Sequence, residues 1–134
     1  MNSSGYGRLE VYQRAMALVP KVQAFLRTLP ASERYDLVSQ LRRASRSVPA
    51  NIAEGYAKRR SAKEFSNYLT TAMASANEVE VHLKMAYDLG YVNAELFSEL
   101  AGEYNILGRQ LHRLIASWRR GVPATTNKQP ARRR

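Results

Sequence analysis

RRASRSVPANIAEGYAKRR, residues 42–60, carries six arginines and lysines, one acid (Glu54) and a proline in the middle of an otherwise helical pattern. Its apolar residues belong to a longer series, Leu37, Leu41, Ala44, Val48, Ile52 and Tyr56. Steps of three and four are the period of a helix buried along one face. Pro49 decides whether that series is one long helix or two short ones. It cannot donate to the Ser45 carbonyl. Either the helix kinks there, or it restarts with Ser47 as N-cap and Pro49 in the first turn. The whole series is expected as a second helix over about 32–58.

Working outward, Leu9, Tyr12, Met16, Val19, Val22, Leu26 and Leu29 predict a first helix over about 8–29. Pro20 falls inside it and predicts a bend or break. Pro30 ends it, because the residue before a proline is pushed out of the α region. Ser61-Ala62-Lys63-Glu64 has the form of a capping box opening a third helix. That helix carries Phe65, Leu69, Ala72, Ala76, Val79, Leu83 and Ala86, and Gly90 stands where a left-handed cap would close it. Asn93 can cap a fourth, striped by Leu100, Tyr104, Leu107, Leu111, Leu114 and Trp118 and stopped by Gly121 and Pro123. Nothing alternates with period two. Short connections force antiparallel neighbours, so the expected fold is all-α, an up-down-up-down four-helix bundle over 8–120. A flexible N-terminus, 1–7, precedes it. A polar tail, 121–134, ends in three arginines and is expected to be disordered.

The chain has 134 residues and a net charge of +10. The charge is segregated. Residues 1–63 hold 12 basic and 4 acidic side chains, residues 64–104 hold Lys84 against seven acids, and residues 105–134 hold eight basic side chains and no acid. Such a chain can present separate basic and acidic surfaces; a solvated surface with a basic tail is the plainer alternative. Absent cysteine removes disulfides and thiolate zinc sites. The start, MNSSGYGRLEVYQ, has no signal-peptide pattern, and apolar runs fall far short of the roughly 20 residues that span a bilayer. A cytoplasmic protein with no membrane partner is expected.

The polar residues suggest no catalysis. His82 and His112 lie on different helices, and Glu78 with His82 is a thin ligand set, so no metal, cofactor or catalytic residue is assigned and His82 is expected at a surface or interface. Phosphate-cradling and nucleophile-elbow motifs are missing. Tyr12, Tyr56 and Tyr104 fit the stripes as core or interface residues.

Charge is the stronger signal. In an antiparallel bundle the N-terminus near Arg8, the turn with Lys58, Arg59, Arg60 and Lys63, and the C-terminus with Arg113, Arg119 and Arg120 gather at one end. About five phosphate contacts there would give a slope near −4 to −5 in log K against log salt on duplex DNA. No base-reading module is recognisable. Within 42–60, Arg43, Ser47, Asn51, Glu54 and Lys58 share one face. Arg42 and Arg46 lie on a neighbouring face, followed by Ala50, Ala53 and Ala57, which leave room for another subunit. Pro49, Asn51, Glu54 and Gly55 are read as scaffold or interface. Arg42, Arg43 and Arg46 are open between subunit pairing and phosphate.

Three stretches carry a family resemblance: Leu9-Glu10-Val11-Tyr12-Gln13-Arg14-Ala15-Met16, Leu37-Val38-Ser39-Gln40-Leu41-Arg42-Arg43-Ala44, and above all Ser47-Val48-Pro49-Ala50-Asn51-Ile52-Ala53-Glu54-Gly55-Tyr56. Lys63-Glu64-Phe65 and Glu78 to Gly90-Tyr91 continue it, over about 8–118. Together they resemble a four-helix-bundle family that includes proteins encoded in intervening sequences of bacterial large-subunit ribosomal RNA and accessory variability proteins of diversity-generating retroelements. The resemblance implies a homopentameric barrel with a basic surface that binds RNA or DNA. In the retroelement branch it also implies binding to the reverse transcriptase during mutagenic cDNA synthesis. It supplies no catalytic residues. The arginine-ended tail inclines the reading to a retroelement accessory protein. The alternative is an intervening-sequence-type structural oligomer of unknown role.

Overall fold

Phe65, Leu69, Ala72, Ala76, Val79, Leu83 and Ala86 are all buried, so the longest apolar stripe in the sequence is a core-facing seam. In the computed structural model, which describes residues 5–121, this seam belongs to the helix α3, Ala62–Asp88. The others are α1, Glu10–Leu26, α2, Leu37–Ala57, and α4, Ala94–Arg119. Short 3-10 turns stand at Gly5–Arg8 and Ala31–Glu33. The helices pack in cyclic order, α2 and α4 broadly against α3, α1 broadly against α2 and only sparsely against α4. The described residues are all-helical with four long helices and no strand, arranged as an antiparallel bundle. The tail beyond residue 121 and residues 1–4 lie outside the described residues.

The caps set the helix ends. The Glu64 N–H donates to the Ser61 hydroxyl at 3.1 Å, but the Ser61 N–H donates to the Lys58 carbonyl, so only one half of the capping box forms. The Leu96 N–H donates to Asn93 Oδ1 at 2.8 Å, capping α4 as expected. Gly90, at φ +82°, closes α3: the Tyr91 N–H reaches the Ala86 carbonyl and the Gly90 N–H reaches the Tyr87 carbonyl. Between α1 and α2 the chain departs from expectation. Residues 32–36 are not in α2; they form the 3-10 turn and its exit, and α2 opens at Leu37.

Neither proline breaks its helix. α1 runs through exposed Pro20, and α2 runs through buried Pro49. Across the Pro49 turn, Asn51 Nδ2 donates to the Ser47 carbonyl and to the Ser47 hydroxyl, each at 2.9 Å. The Ser47 hydroxyl also pairs with the Ser75 hydroxyl of α3 at 2.9 Å. Ser47 is thus a crosslink between α2 and α3 and not an N-cap. Val48 is in the core and Pro49 is buried beside the α1–α2 groove, and this packing outweighs the local preference against helix before proline.

The first helix is rotated from the expected stripe. Its core residues are Val11, Ala15, Leu18, Val22, Phe25 and Leu26, flanked by Leu9 and Leu29. Tyr12 and Val19 are half-buried, and Met16 is 45% exposed. Two apolar stripes overlap on α1, and the bundle buries the one starting at Val11. The other faces outward beside Pro49, Ala50 and Ala53 of α2 and lines an apolar groove of about 270 Å³ with Arg46 at its edge.

Candidate nucleic-acid interface

One end of the bundle is built by the last turn of α2, the first of α3, the end of α4 and the N-terminal 3-10 turn. Close approach of α2 and α3 sets its width. Gly55 is buried, and a Cβ there would stand 2.5 Å from the Tyr68 Cβ and 3.1 Å from Phe65 Cδ1. Phe65 packs edge-on to Trp118 of α4, ring centroids 4.7 Å apart, and to Tyr56 of α2 at 6.0 Å. Gly5 abuts Tyr56. This aromatic cluster is why the N-terminal turn, the α2–α3 connection and the α4 terminus meet.

Around it stand the cations. Lys58, Arg59, Arg60, Lys63, Arg119 and Arg120 are all exposed. The Arg59 guanidinium lies over the Tyr56 ring at 4.0 Å and donates to the Tyr56 carbonyl at 2.9 Å, a favourable place for a cation at a helix C-terminus. Lys58 sits 5.9 Å from the Tyr68 ring centre. Arg119 reaches the Thr70 hydroxyl at 3.4 Å. The ion pairs among the described residues are Arg14–Glu103, His82–Glu78 and Lys84–Asp88, so none neutralises this end. Glu54 and Glu64, also exposed, and half-buried Glu10 are the acids nearest to it in sequence.

The structure separates the other candidates. Arg43 lies 15 residues before Lys58 on one helix, about 22 Å along the axis. Arg42 is half-buried, Arg43 is exposed, and Arg46 edges the apolar α1–α2 groove. These three do not join the basic end. Of the scaffold candidates, Pro49 and Gly55 are buried, Asn51 is bound to Ser47, and Glu54 forms no ion pair among the described residues.

Arg113 lines a second feature, a groove of about 370 Å³ between α3 and α4. Arg109, His112, Asn77, Glu80 and Asn105 line it too. Sequence reasoning named His112 only as an unassigned histidine and did not single out Arg109, Asn77, Glu80 or Asn105. The signal was there: Gly108 sits inside a long helix beside Arg109 and Arg113, which share a face four residues apart. His82, expected at a surface or interface, is buried on α3 with Nε2 3.4 Å from Glu78 and no partner for Nδ1. Among the described residues no group of three or more His, Cys, Asp or Glu side chains could hold a metal ion, and no helix is long and apolar enough to cross a membrane.

A small antiparallel helical bundle with an unneutralised cationic end defines the class. Residues 7–113 match the family of 23S rRNA-intervening sequence proteins, and the chain belongs to that family. A solved structure of a protein of unknown function from the S23 ribosomal protein family, from Bacteroides thetaiotaomicron, has the same fold, with a TM-score of 0.71 and 22% identity over 78% of this chain and 97% of that one. No curated protein matches the sequence.

Proposed function

We propose that the protein is a non-enzymatic, self-associating nucleic-acid-binding accessory factor whose basic end holds the phosphate backbone of RNA or DNA. The observation that carries this is the gathering of Lys58, Arg59, Arg60, Lys63, Arg119 and Arg120 at one end without a carboxylate partner among the described residues. Phosphate neutralisation releases counterions, so affinity should fall steeply with salt. The test is anisotropy titration of structured RNA and duplex DNA across salt concentrations. Replacing Lys58, Arg59 and Arg60 by alanine should flatten the slope by about 3. Affinity that ignores salt would sink the reading.

Self-association is supported by the outward apolar stripe of α1 and the groove it forms with Ala50 and Ala53. A pentameric barrel follows from the family resemblance. Partnership with a reverse transcriptase in a diversity-generating retroelement rests on the same resemblance and on the arginine-ended tail. Co-purification with a reverse transcriptase encoded beside this gene tests it; a gene lying inside a ribosomal RNA operon overturns it.

The second reading is an intervening-sequence-type structural oligomer, favoured by the family match and by Arg46 at the rim of the apolar groove. Charge reversal at Arg42, Arg43 and Arg46 separates the two. Loss of assembly supports pairing between subunits, and intact assembly with weakened RNA binding supports a phosphate role.

A further inference from the structure

The groove between α3 and α4 differs in kind from the basic end. Arg109 and Arg113, one turn apart on α4, form one wall, and both are exposed and unpaired among the described residues. Asn77 and Glu80 of α3 and Asn105 and His112 of α4 supply further polar side chains to its lining. Guanidinium groups only donate, a carboxylate only accepts, and a carboxamide does both. A bare phosphate would meet the arginines and be repelled by Glu80. A nucleotide carries both a phosphate and a base edge of mixed donors and acceptors, and so matches an α4 wall of Asn105, Arg109, His112 and Arg113 facing Asn77 and Glu80 of α3. Burial raises the Glu80 carboxyl above its ordinary value.

A further observation bears on how the groove is kept open. Gly108, also in the lining, sits inside α4, where glycine weakens a helix relative to alanine. Packing does not demand it: a Cβ there would find its nearest atom, Asn77 Oδ1, at 4.0 Å. The missing side chain keeps the groove open. Arg109, Arg113 and Arg120 fall on one face of α4, so this face leads from the groove to the basic end over about 16 Å.

We infer that the α3–α4 groove is a site for one unstacked nucleotide of single-stranded RNA, with its phosphate on Arg109 and Arg113 and its base edge on Asn77, Glu80 and Asn105. The inference rests on the nucleic-acid reading above and adds to it a preference for unpaired nucleotides. The basic end tracks backbone charge, and the groove takes a base that a duplex keeps in its stack.

The test compares a short single-stranded RNA with a duplex of the same sequence by fluorescence anisotropy. Two variants leave the charge untouched: the double substitution Asn77→Ala with Asn105→Ala, and Gly108→Leu, which fills the groove. Circular dichroism confirms that each is folded. Each should weaken single-stranded binding about tenfold, the worth of one or two hydrogen bonds, with the duplex and the salt slope unchanged. Equal single-strand affinity in wild type and both folded variants would overturn the groove and leave the basic end standing. An equal loss on the duplex would overturn the preference for an unpaired base. No binding of either RNA by the wild type would overturn both readings.

Discussion

Gly55 and Tyr68 are in contact through what Gly55 lacks: a Cβ on Gly55 would stand 2.5 Å from the Tyr68 Cβ. Helices α2 and α3 therefore lie in close backbone contact just before the turn that carries Lys58, Arg59 and Arg60. Gly55→Ala should destabilise the bundle by about 1–3 kcal/mol through overpacking, although alanine is the better helix former. Chemical denaturation measures this. A stability equal to wild type would show that α3 can move aside without cost.

Pro20 gives the opposite expectation. It is exposed within α1, so its ring contributes little packing, and its missing N–H leaves the Met16 carbonyl without a helical donor. Pro20→Ala should raise stability by about 1–2 kcal/mol, the helix gain less the entropy proline removes from the unfolded chain. Thermal unfolding reads it directly, and a lowered midpoint would mean that the proline ring is packed against another copy.

The outward stripe of α1 bears on assembly. Met16 and Ala50 are exposed and line the same apolar groove. Met16→Glu or Ala50→Glu should reduce the assembled mass in light scattering while changing the stability of the separated bundle by less than about 0.5 kcal/mol. A mass equal to that of wild type would place the subunit interface elsewhere.

Tyr104 supplies a pH dependence. Burial pushes its phenol above the ordinary value of 10.0. The native state then holds this proton more tightly than the unfolded chain does. Stability is intact below about pH 10 and falls as pH rises beyond it. Tyr104→Phe removes both the titration and an unpartnered hydroxyl. It should leave stability at pH 7 equal or up by about 1 kcal/mol, and reduce the alkaline loss. Some alkaline slope should persist, because the hydrogen bond donated to Glu33 at 2.8 Å also raises Tyr91. An unchanged alkaline slope in Tyr104→Phe would sink this assignment.

Much of the site was legible because charge and capping are local. Lys58, Arg59 and Arg60 follow a helix that ends at Ala57, and Ser61 starts the next, so the cations had to fall at a bundle end. Arg42, Arg43 and Arg46 were set apart from them in sequence but left open between subunit pairing and phosphate, since what stands opposite a helix face shows only in the folded bundle. The α3–α4 groove was hidden for a different reason. Asn77 and Glu80 lie on one helix and Arg109 and Arg113 on another, and only the antiparallel register puts them across from each other.

By itself the sequence determined the four helices, the core faces of α3 and α4, the caps at Ser61, Asn93 and Gly90, and the family. Each of these depends on a single periodic stripe or on residues within one turn. Tertiary structure alone decided which of two overlapping stripes α1 buries, that α2 passes unbroken through Pro49, and that Gly55 must be glycine. Those outcomes depend on what stands opposite. The stripe starting at Val11 wins because α2 and α4 cover it, Pro49 is tolerated because its ring is buried between α1 and α2 and Ser47 ties the turn to Ser75, and Gly55 is excluded from bearing a side chain by Tyr68.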